Sequence, residues 1–181
     1  MVGEMRDLET ANIATQAALT GHLVLSTLHT NNAGSSLTRL LEMGIEDYLL
    51  ASTVNGIFAQ RLVRTLCGEC RRHRSPTPTE ASRFGSSPEI PFEYFWEAVG
   101  CEQCHGGYNG RTSIAEFLQI DEPIRKMIID HVDGSSIQNN AIEMGMRTLW
   151  EDGIRKAANG ITTVVEVMRV SATIDNIQFD E

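Results

Sequence analysis

Residues 22–32, His22-Leu23-Val24-Leu25-Ser26-Thr27-Leu28-His29-Thr30-Asn31-Asn32, carry the first signal of the fold class. Residues 22–28 are largely apolar and bounded by turn signals, which predicts a buried strand in a sheet covered on both faces. A helix from Asp7 to about Thr20 precedes this strand and ends at Gly21. A second helix of about a dozen residues follows it and ends at Gly44. Helix, strand and helix in this order indicate an α/β domain with a parallel sheet.

Beyond Gly44 the pattern changes from helical to irregular and back to helical. Residues 47–66 carry apolar side chains at helical spacing and are predicted to form a helix. An insert rich in proline, serine and glycine follows between two pairs of cysteines, and residues 112–120 are a predicted strand. Further helices are predicted at residues 122–131, 135–144, 149–158 and 163–170, and the tail from Ser171 is expected to fray.

Composition places the chain among ordinary globular proteins and excludes several functional classes. The 181 residues include 15 Lys and Arg against 24 Asp and Glu, a net charge of −9 with histidine neutral, and 41% are hydrophobic. The longest apolar runs are about four residues, far below the roughly 18 that a membrane span needs. We find no basic, apolar leader typical of secretion. The acidic balance argues against a nucleic-acid partner, because phosphate neutralisation needs a basic face.

Lysine is rare in this chain, and its positions carry information. The two lysines, Lys126 and Lys156, each follow an arginine. A phosphate-binding loop of the Gly-Lys-Ser/Thr type therefore does not occur in these 181 residues.

All four cysteines fall in two pairs, Cys67-x2-Cys70 and Cys101-x2-Cys104. A two-residue gap lets both thiolates of a pair face one metal ion, and two such pairs supply the ligands of a closed tetrahedral zinc site. The 30 residues between the pairs exceed the roughly 15–20 that are usual. The pairs nevertheless bracket the one segment that lacks periodicity, which a metal would stabilise. Four thiolates leave no open position, so the predicted zinc is structural.

Other interpretations of this segment stay open. The cysteines could serve thiol–disulfide exchange, or they could be four unrelated buried thiols. His73 and His105 lie next to the pairs and could each replace a cysteine as ligand. The arginines at positions 71, 72 and 74 are either a solvated cluster or a partial counter-charge to the thiolates.

Two polar residues stand at the ends of predicted strands. Glu4 follows residues 1–3, and His29 closes the strand of residues 22–28. If the two segments are parallel neighbours, both side chains project into one crevice beyond the carboxyl ends of the strands. There a carboxylate can hold a magnesium-bound or attacking water, and an imidazole can donate to a terminal phosphate oxygen. A helix-start anion at Glu4 and a strand-end cap at His29 are the alternatives.

Six further stretches carry specific wording beside the cysteine pairs: residues 3–11 (GEMRDLETA), 19–22 (LTGH), 26–31 (STLHTN), 60–64 (QRLVR), 107–112 (GYNGRT) and 160–163 (GITT). Together these motifs resemble the secretion ATPases, the hexameric motors of type II secretion and type IV pilus assembly. The similarity covers about residues 1–171. The tetracysteine segment is similar to the zinc-binding module of the type II secretion and pilus-extension members, and retraction members lack it.

The resemblance implies a role for three residues and a fold. Glu4 lies in the Walker B segment, near magnesium and the attacking water, as the expected catalytic residue. His29 lies in the histidine box, at the γ-phosphate, and Arg6 is expected to bind nucleotide in a role that stays open. The implied fold is the C-terminal part of a RecA-like P-loop NTPase sheet with a zinc subdomain and a helical cap.

The resemblance also implies a division of the chain. We expect residues 1–66 to complete the ATPase core, 67–110 to form the zinc subdomain, 111–171 the strand and helical cap, and 172–181 a flexible tail. The phosphate loop, acidic box and N-terminal domains of the family would precede Glu4. Met1 is therefore not expected to be the natural beginning, and the chain is not expected to hydrolyse ATP alone.

The implied function is ATP-driven assembly of pili or pseudopili and protein secretion. The short gap between the cysteine pairs and the C-terminal sequence favour type II secretion. Its cofactors would be Zn²⁺ in a structural role, with ATP and Mg²⁺ in the intact protein. Its partners would be five further copies in a homo-hexamer and the platform proteins of the bacterial inner membrane, from the cytoplasmic side. The alternative is a non-enzymatic, zinc-dependent interaction module of a secretion complex.

Overall fold

A computed structural model describes residues 1–78, 80 and 94–171 of the chain. Along the described residues three helices come first, four strands follow, and four helices complete the order. The helices are α1 (Leu8–Leu19), α2 (Ala33–Glu42), α3 (Asp47–Thr53), α4 (Glu122–Ile129), α5 (Gly134–Glu143), α6 (Leu149–Ala158) and α7 (Val164–Ser171). The strands are β1 (Gly56–Leu66), β2 (Arg72–Arg74), β3 (Phe95–Glu97) and β4 (Tyr108–Gln119).

The first helix begins and ends where its sequence predicts. The Asp7 side chain accepts a hydrogen bond from Thr10 N, and Glu9 lies in the first turn, where a carboxylate favours the positive end of the helix. Gly21 follows the helix with φ of 90°, a left-handed conformation that glycine adopts without steric strain.

Residues 22–28 are the first departure from prediction. They run alongside residues 2–5 in the same direction, with Val2 N donating to Leu25 O and Met5 N to Thr27 O. No strand is assigned to them, and Leu23 and Leu25 are 81% and 58% exposed. The predicted strand buried on both faces is therefore wrong within the part of the chain described here, because no described element covers this apolar face.

Residues 47–66 are the second departure. The predicted helix stops at Thr53, and an 11-residue strand begins at Gly56. Spacing of three and four residues between apolar side chains fits a helix, but β-branched and alternating residues also fit a strand, and pairing with β4 decides between them. The predicted strand of residues 112–120 is confirmed as β4, with its start at Tyr108.

Strands β1 and β4 form a two-stranded sheet. Ile120 N donates to Asn55 O beyond one end and Cys67 N donates to Gly107 O beyond the other, so the two strands run antiparallel. Strands β2 and β3 form a second antiparallel pair with His73 opposite Trp96.

The four predicted C-terminal helices are confirmed as α4 to α7, within one or two residues at each end. Each of the first three begins at a side-chain cap, Asp121, Asp133 or Thr148. Thr148 and Glu151 form a capping box, in which each side chain accepts from the backbone N–H of the other residue.

Two compact units make up the chain. Unit 1 contains residues 1–59 and 116–147, and unit 2 contains residues 60–115 with the chain from Thr148 onward. In unit 2, Phe95 packs in a core with Ile154, Ala157, Val164 and Val167. The predicted division at residues 66, 110 and 171 remains a prediction. Most of the proline-rich insert (79 and 81–93) and the predicted tail (172–181) lie outside the described residues.

The described helices are all too short or too polar to cross a lipid bilayer. This agrees with the short apolar runs of the sequence.

Candidate functional site

The structure brings together the three predicted nucleotide-site residues in unit 1. Glu4 Oε1 lies 3.0 Å from His29 Nε2, and Glu4 Oε2 lies 2.6 Å from Arg6 Nη2. Glu4 is only 21% exposed, whereas Arg6 and His29 are 76% and 85% exposed. A single carboxylate therefore contacts a guanidinium through one oxygen and an imidazole through the other.

The parallel course of two extended segments produces this contact. Val2 N and Met5 N donate to Leu25 O and Thr27 O, and the Thr27 hydroxyl donates to Gly3 O at 2.7 Å. Glu4 and His29 thus lie at the same end of two parallel extended segments, although neither segment forms a regular strand.

The neighbouring Arg6 and His29 favour the ionised form of the Glu4 carboxyl group. The hydrogen bond from Arg6 lowers the pKa of Glu4, and the nearby His29 adds to this effect against an opposing desolvation. An ionised carboxylate beside an exposed imidazole can hold a water or a hydrated cation and can present a hydrogen-bond donor to an anionic ligand.

A cavity of about 450 Å³ opens beside His29. Its lining includes Asn31, which precedes α2, Arg39 near the end of α2, and Asp133 and Ser135 at the start of α5. The exposed face of His29 therefore borders space lined by polar and charged groups.

The four cysteines form a second cluster, in unit 2. Their sulfur atoms all lie within 4.8 Å of one another, and no two are bonded in a disulfide. Sγ–Sγ distances are 3.9 Å for Cys67–Cys101, 3.7 Å for Cys70–Cys104 and 3.6 Å for Cys101–Cys104. The interpretation as four unrelated thiols is therefore wrong, and this cluster could bind a metal ion.

Backbone amides surround the sulfurs. Gly100 N donates to Cys70 Sγ at 3.3 Å, and Cys101 N donates to Cys104 Sγ at 3.2 Å. Burial raises the pKa of Cys104, but hydrogen bonds from this backbone outweigh it and lower the pKa to about 7. Burial raises the pKa of Cys70. At Cys101 the backbone amide of Gln103 lowers the pKa, but the Cys104 thiol and burial outweigh it and raise the pKa to about 12. A metal ligand must be deprotonated, so the amide hydrogen bonds favour the ligating form at Cys104. His73 stacks on Tyr94 and Trp96, with ring centroids 4.0 and 3.8 Å away.

Sequence reasoning missed three buried polar residues that organise these regions. Glu116 accepts from Ala33 N, Gln138 from Gly34 N, and Glu166 from Arg64 N. The partners are 83, 104 and 102 residues apart in sequence. No local pattern links residues so distant, so no sequence signal could have identified these pairs without a fold.

The chain is similar in sequence to one family of known proteins. A family model described as "Type II/IV secretion system protein" matches residues 1–169. The chain is 50% identical over 175 residues to a type II secretion system protein E of Xanthomonas campestris pv. campestris, covering 94% of the chain and 30% of that protein. It is 48% identical to the type IV pilus assembly ATPase PilB of Thermus thermophilus, covering 93% of the chain and 19% of that protein. The chain thus spans about a third of the first relative and a fifth of the second.

Solved structures share the fold. The pilus retraction motor PilT with bound ADP is 26% identical, with a TM-score of 0.62, over 94% of the chain and 39% of PilT. The ATPase DotB of Legionella pneumophila is 23% identical, with a TM-score of 0.62, over 96% of the chain and 38% of DotB. The predicted RecA-like α/β fold class is confirmed by these similarities.

Proposed function

Because the chain belongs to the type II/IV secretion system protein family, we propose that it is the C-terminal part of a hexameric secretion ATPase and contributes Glu4, Arg6 and His29 to ATP hydrolysis. The observation that carries this proposal is the contact of Glu4 with both His29 and Arg6 at 3.0 and 2.6 Å. Relatives named as an assembly ATPase and a type II secretion protein support the same role.

Each of the three side chains has a chemical task in this proposal. Glu4 is the catalytic residue, whose ionised carboxylate orients the attacking water or a water bound to Mg²⁺. His29 donates a hydrogen bond to the terminal phosphate and so stabilises the charge that develops there. Arg6 binds nucleotide, and its guanidinium pairs with the Glu4 carboxylate and lowers the pKa of Glu4 when no phosphate is present. Bound Mg²⁺ would neutralise phosphate charge.

The 181 residues alone are not expected to turn over ATP. Backbone amides and a lysine normally hold the β- and γ-phosphates, and no glycine–lysine pair occurs in this sequence. Turnover by the isolated chain that disappears in Glu4→Gln would contradict this expectation.

The test of the site uses the complete gene product that contains these residues. Glu4→Gln and His29→Ala should each lower kcat for ATP hydrolysis by roughly 100-fold, since each removes a group that acts on the reacting phosphate. Glu9→Gln and His22→Ala are matched controls in the same unit, and both should retain activity. Unchanged turnover in Glu4→Gln would refute the assignment.

We further infer that the cysteine cluster binds a structural Zn²⁺. Tetrahedral Zn–S bonds of about 2.3 Å imply sulfur–sulfur separations of roughly 3.8 Å. Three pairs in the cluster are separated by 3.6 to 3.9 Å, and all four sulfurs lie within 4.8 Å of one another. Elemental analysis should find one zinc per chain, and Cys104→Ser should lower that content. Thiols that react freely in the purified protein would instead favour thiol–disulfide exchange.

We also propose an oligomeric state and a set of partners for the complete gene product. The proposed assembly is a homo-hexamer that works on the cytoplasmic side of the bacterial inner membrane with platform proteins. The names of the relatives support a role in type II secretion and type IV pilus assembly. Native mass spectrometry of the complete gene product with ATP and Mg²⁺ should show six copies. A zinc-bound protein that binds its partner without any response to nucleotide would favour the alternative, a non-enzymatic interaction module.

A further inference from the structure

The segment that carries His29 continues directly into α2, and the first turn of α2 is tied to distant parts of unit 1. The first amides of a helix lack partners within the helix and need acceptors from elsewhere. Ser35 N donates to the side chain of Asn32, which is the local cap. Ala33 N donates to Glu116 Oε1 at 2.7 Å, and Gly34 N donates to Gln138 Oε1 at 2.9 Å.

Glu116 is an unusual residue for this position. It lies on β4 and is only 3% exposed. Burying a carboxyl group is unfavourable unless it is hydrogen-bonded, and the positive end of a helix compensates for such a group. The contact between Glu116 and Ala33 therefore fixes where α2 begins relative to β4.

The start of α2 in turn limits where His29 can lie. Three residues separate His29 from Ala33, and the Thr30 hydroxyl lies 2.7 Å from the hydroxyl of the buried Ser36 in α2. On the N-terminal side of His29, the Thr27 hydroxyl donates a hydrogen bond to Gly3 O. The chain around His29 is thus anchored at both ends, to the Glu4 segment and to α2.

We propose that Glu116 is a positioning residue for His29. By accepting the hydrogen bond from Ala33 N, it holds the N-terminus of α2 and so keeps the imidazole of His29 at the distance from Glu4 that ATP hydrolysis requires. This inference rests on the proposed role of Glu4 and His29 in hydrolysis. In this proposal Glu116 acts through α2 and is a positioning residue, not a catalytic one.

The kinetic test uses Glu116→Ala and Glu116→Gln in the complete gene product. Glu116→Ala should lower kcat by roughly 10- to 100-fold with KM unchanged, because His29 is displaced from the reacting phosphate. Glu116→Gln should restore most of the activity, since its amide oxygen can still accept from Ala33 N. Asp152→Ala is the matched control, because Asp152 is a buried carboxylate that accepts from Ala115 N in unit 2. It should lower the melting temperature but leave kcat unchanged.

The outcomes separate this inference from the proposed function. If His29→Ala loses activity and Glu116→Ala retains it, the positioning role is wrong and the proposed function stands. If His29→Ala retains activity, the proposed function fails, and the positioning role in catalysis fails with it. If Glu116→Gln is as impaired as Glu116→Ala, the hydrogen bond to Ala33 N is not what matters, and the inference is overturned.

A second measurement uses the 181-residue chain and does not depend on turnover. In protein labelled with ¹⁵N-histidine, Glu116→Ala should shift the imidazole resonances of His29 and speed amide exchange in the first turn of α2. Asp152→Ala should do neither. If Glu116→Ala does not fold, Gln138→Ala removes the neighbouring acceptor for Gly34 N and should produce the same shifts. Unmoved His29 resonances in folded variants would overturn the inference.

Discussion

Glu166 shows how much a single buried side chain can organise. Its carboxylate is 0% exposed, lies 2.6 Å from Arg64 Nη2 and 3.1 Å from Arg169 Nη2, and also accepts from Arg64 N. Burial raises the pKa of Glu166, but the two guanidinium groups outweigh it and hold the pKa at about 2. Tyr108 stacks under Arg64, 4.0 Å from the ring centroid.

The low pKa of Glu166 predicts how stability depends on pH. Since the folded pKa of about 2 lies below the unfolded value of roughly 4.3, the stabilisation is complete above pH 4.5 and is lost as the pH falls towards 2. Glu166→Gln should lower the free energy of unfolding at pH 7 by about 2 kcal/mol, allowing for the half-exposed arginines. Urea denaturation of both proteins at pH 7 and pH 3 measures this.

At pH 3 the difference between Glu166→Gln and the parent protein should shrink, because the Glu166 carboxyl is then protonated in the unfolded state, which favours unfolding of the parent protein. If the difference in the free energy of unfolding were the same at pH 7 and pH 3, the low pKa of Glu166 would be contradicted. Glu151→Gln is the control, since Glu151 is exposed and caps α6.

Arg6 offers a second prediction at the same scale. Its hydrogen bond is the largest cause of the low pKa of Glu4, so Arg6→Ala should raise that pKa towards the usual value for glutamate. A ¹³C-carboxyl NMR titration of the 181-residue chain measures it directly. Arg39→Ala, which removes an exposed pair with Glu42 at 3.7 Å, should leave the Glu4 titration unchanged. A Glu4 titration that is the same in Arg6→Ala would show that the pair is not formed in solution.

Among the elements, α2 and α5 approach each other through two glycines. A Cβ atom on Gly134 would lie 2.6 Å from Thr38 Oγ1 and 2.8 Å from Gly34 O. Gly134→Ala should therefore force the helices apart and lower the free energy of unfolding by about 1–3 kcal/mol. Thermal denaturation followed by circular dichroism measures the loss. Gly3→Ala is the control, because nothing lies within 4 Å of a Cβ there; equal stabilities for the two variants would contradict the close approach.

The helices were more predictable than the strands, for a physical reason. Caps such as Asp7 and Thr148 and stop signals such as Gly21 act within a few residues, so the sequence shows them directly. Whether residues 56–66 form a strand depends on β4, about 50 residues away, and short apolar segments fit both structures. The burial of residues 22–28 likewise depends on neighbours that their own pattern does not reveal.

For the whole molecule, the same distinction between local and long-range signals applies to the functional sites. The meeting of Glu4 and His29 follows from a general rule about strand ends, and the cysteine cluster follows from ligand spacing. Glu116 was not predictable, because its importance comes only from the place where β4 meets the start of α2. Chemistry that a motif carries can be identified from sequence, whereas the residues that hold the motif in place require the fold.

In unit 2, the cysteine-bearing segment and the last two helices form one set of contacts. Trp96 Nε1 donates to Ala158 O at 3.1 Å, and Arg71 Nη1 donates to Gly160 O at 2.5 Å. Leu66 N, next to Cys67, donates to Ile161 O at 2.9 Å. Phe95 is 1% exposed and packs against α6 and α7. The segment between the cysteine pairs therefore supplies part of the core on which these helices rest.

Removal of the metal should consequently destabilise all of unit 2, including α6 and α7, which hold no cysteine. Without the metal the strands that carry Phe95 and Trp96 lose their anchor, and the helices lose core contacts and hydrogen bonds with them. We expect a chelator to lower the free energy of unfolding by more than about 3 kcal/mol and the melting temperature by roughly 10 °C. Hydrogen exchange followed by mass spectrometry should show faster exchange in α6 and α7, while α1 and α2 of unit 1 keep their protection.

Cys104→Ser should reproduce this pattern without chelator, and chelator already saturated with zinc should not. Unchanged protection of α6 and α7 after complete metal loss would show that the cysteine cluster stabilises only its own segment.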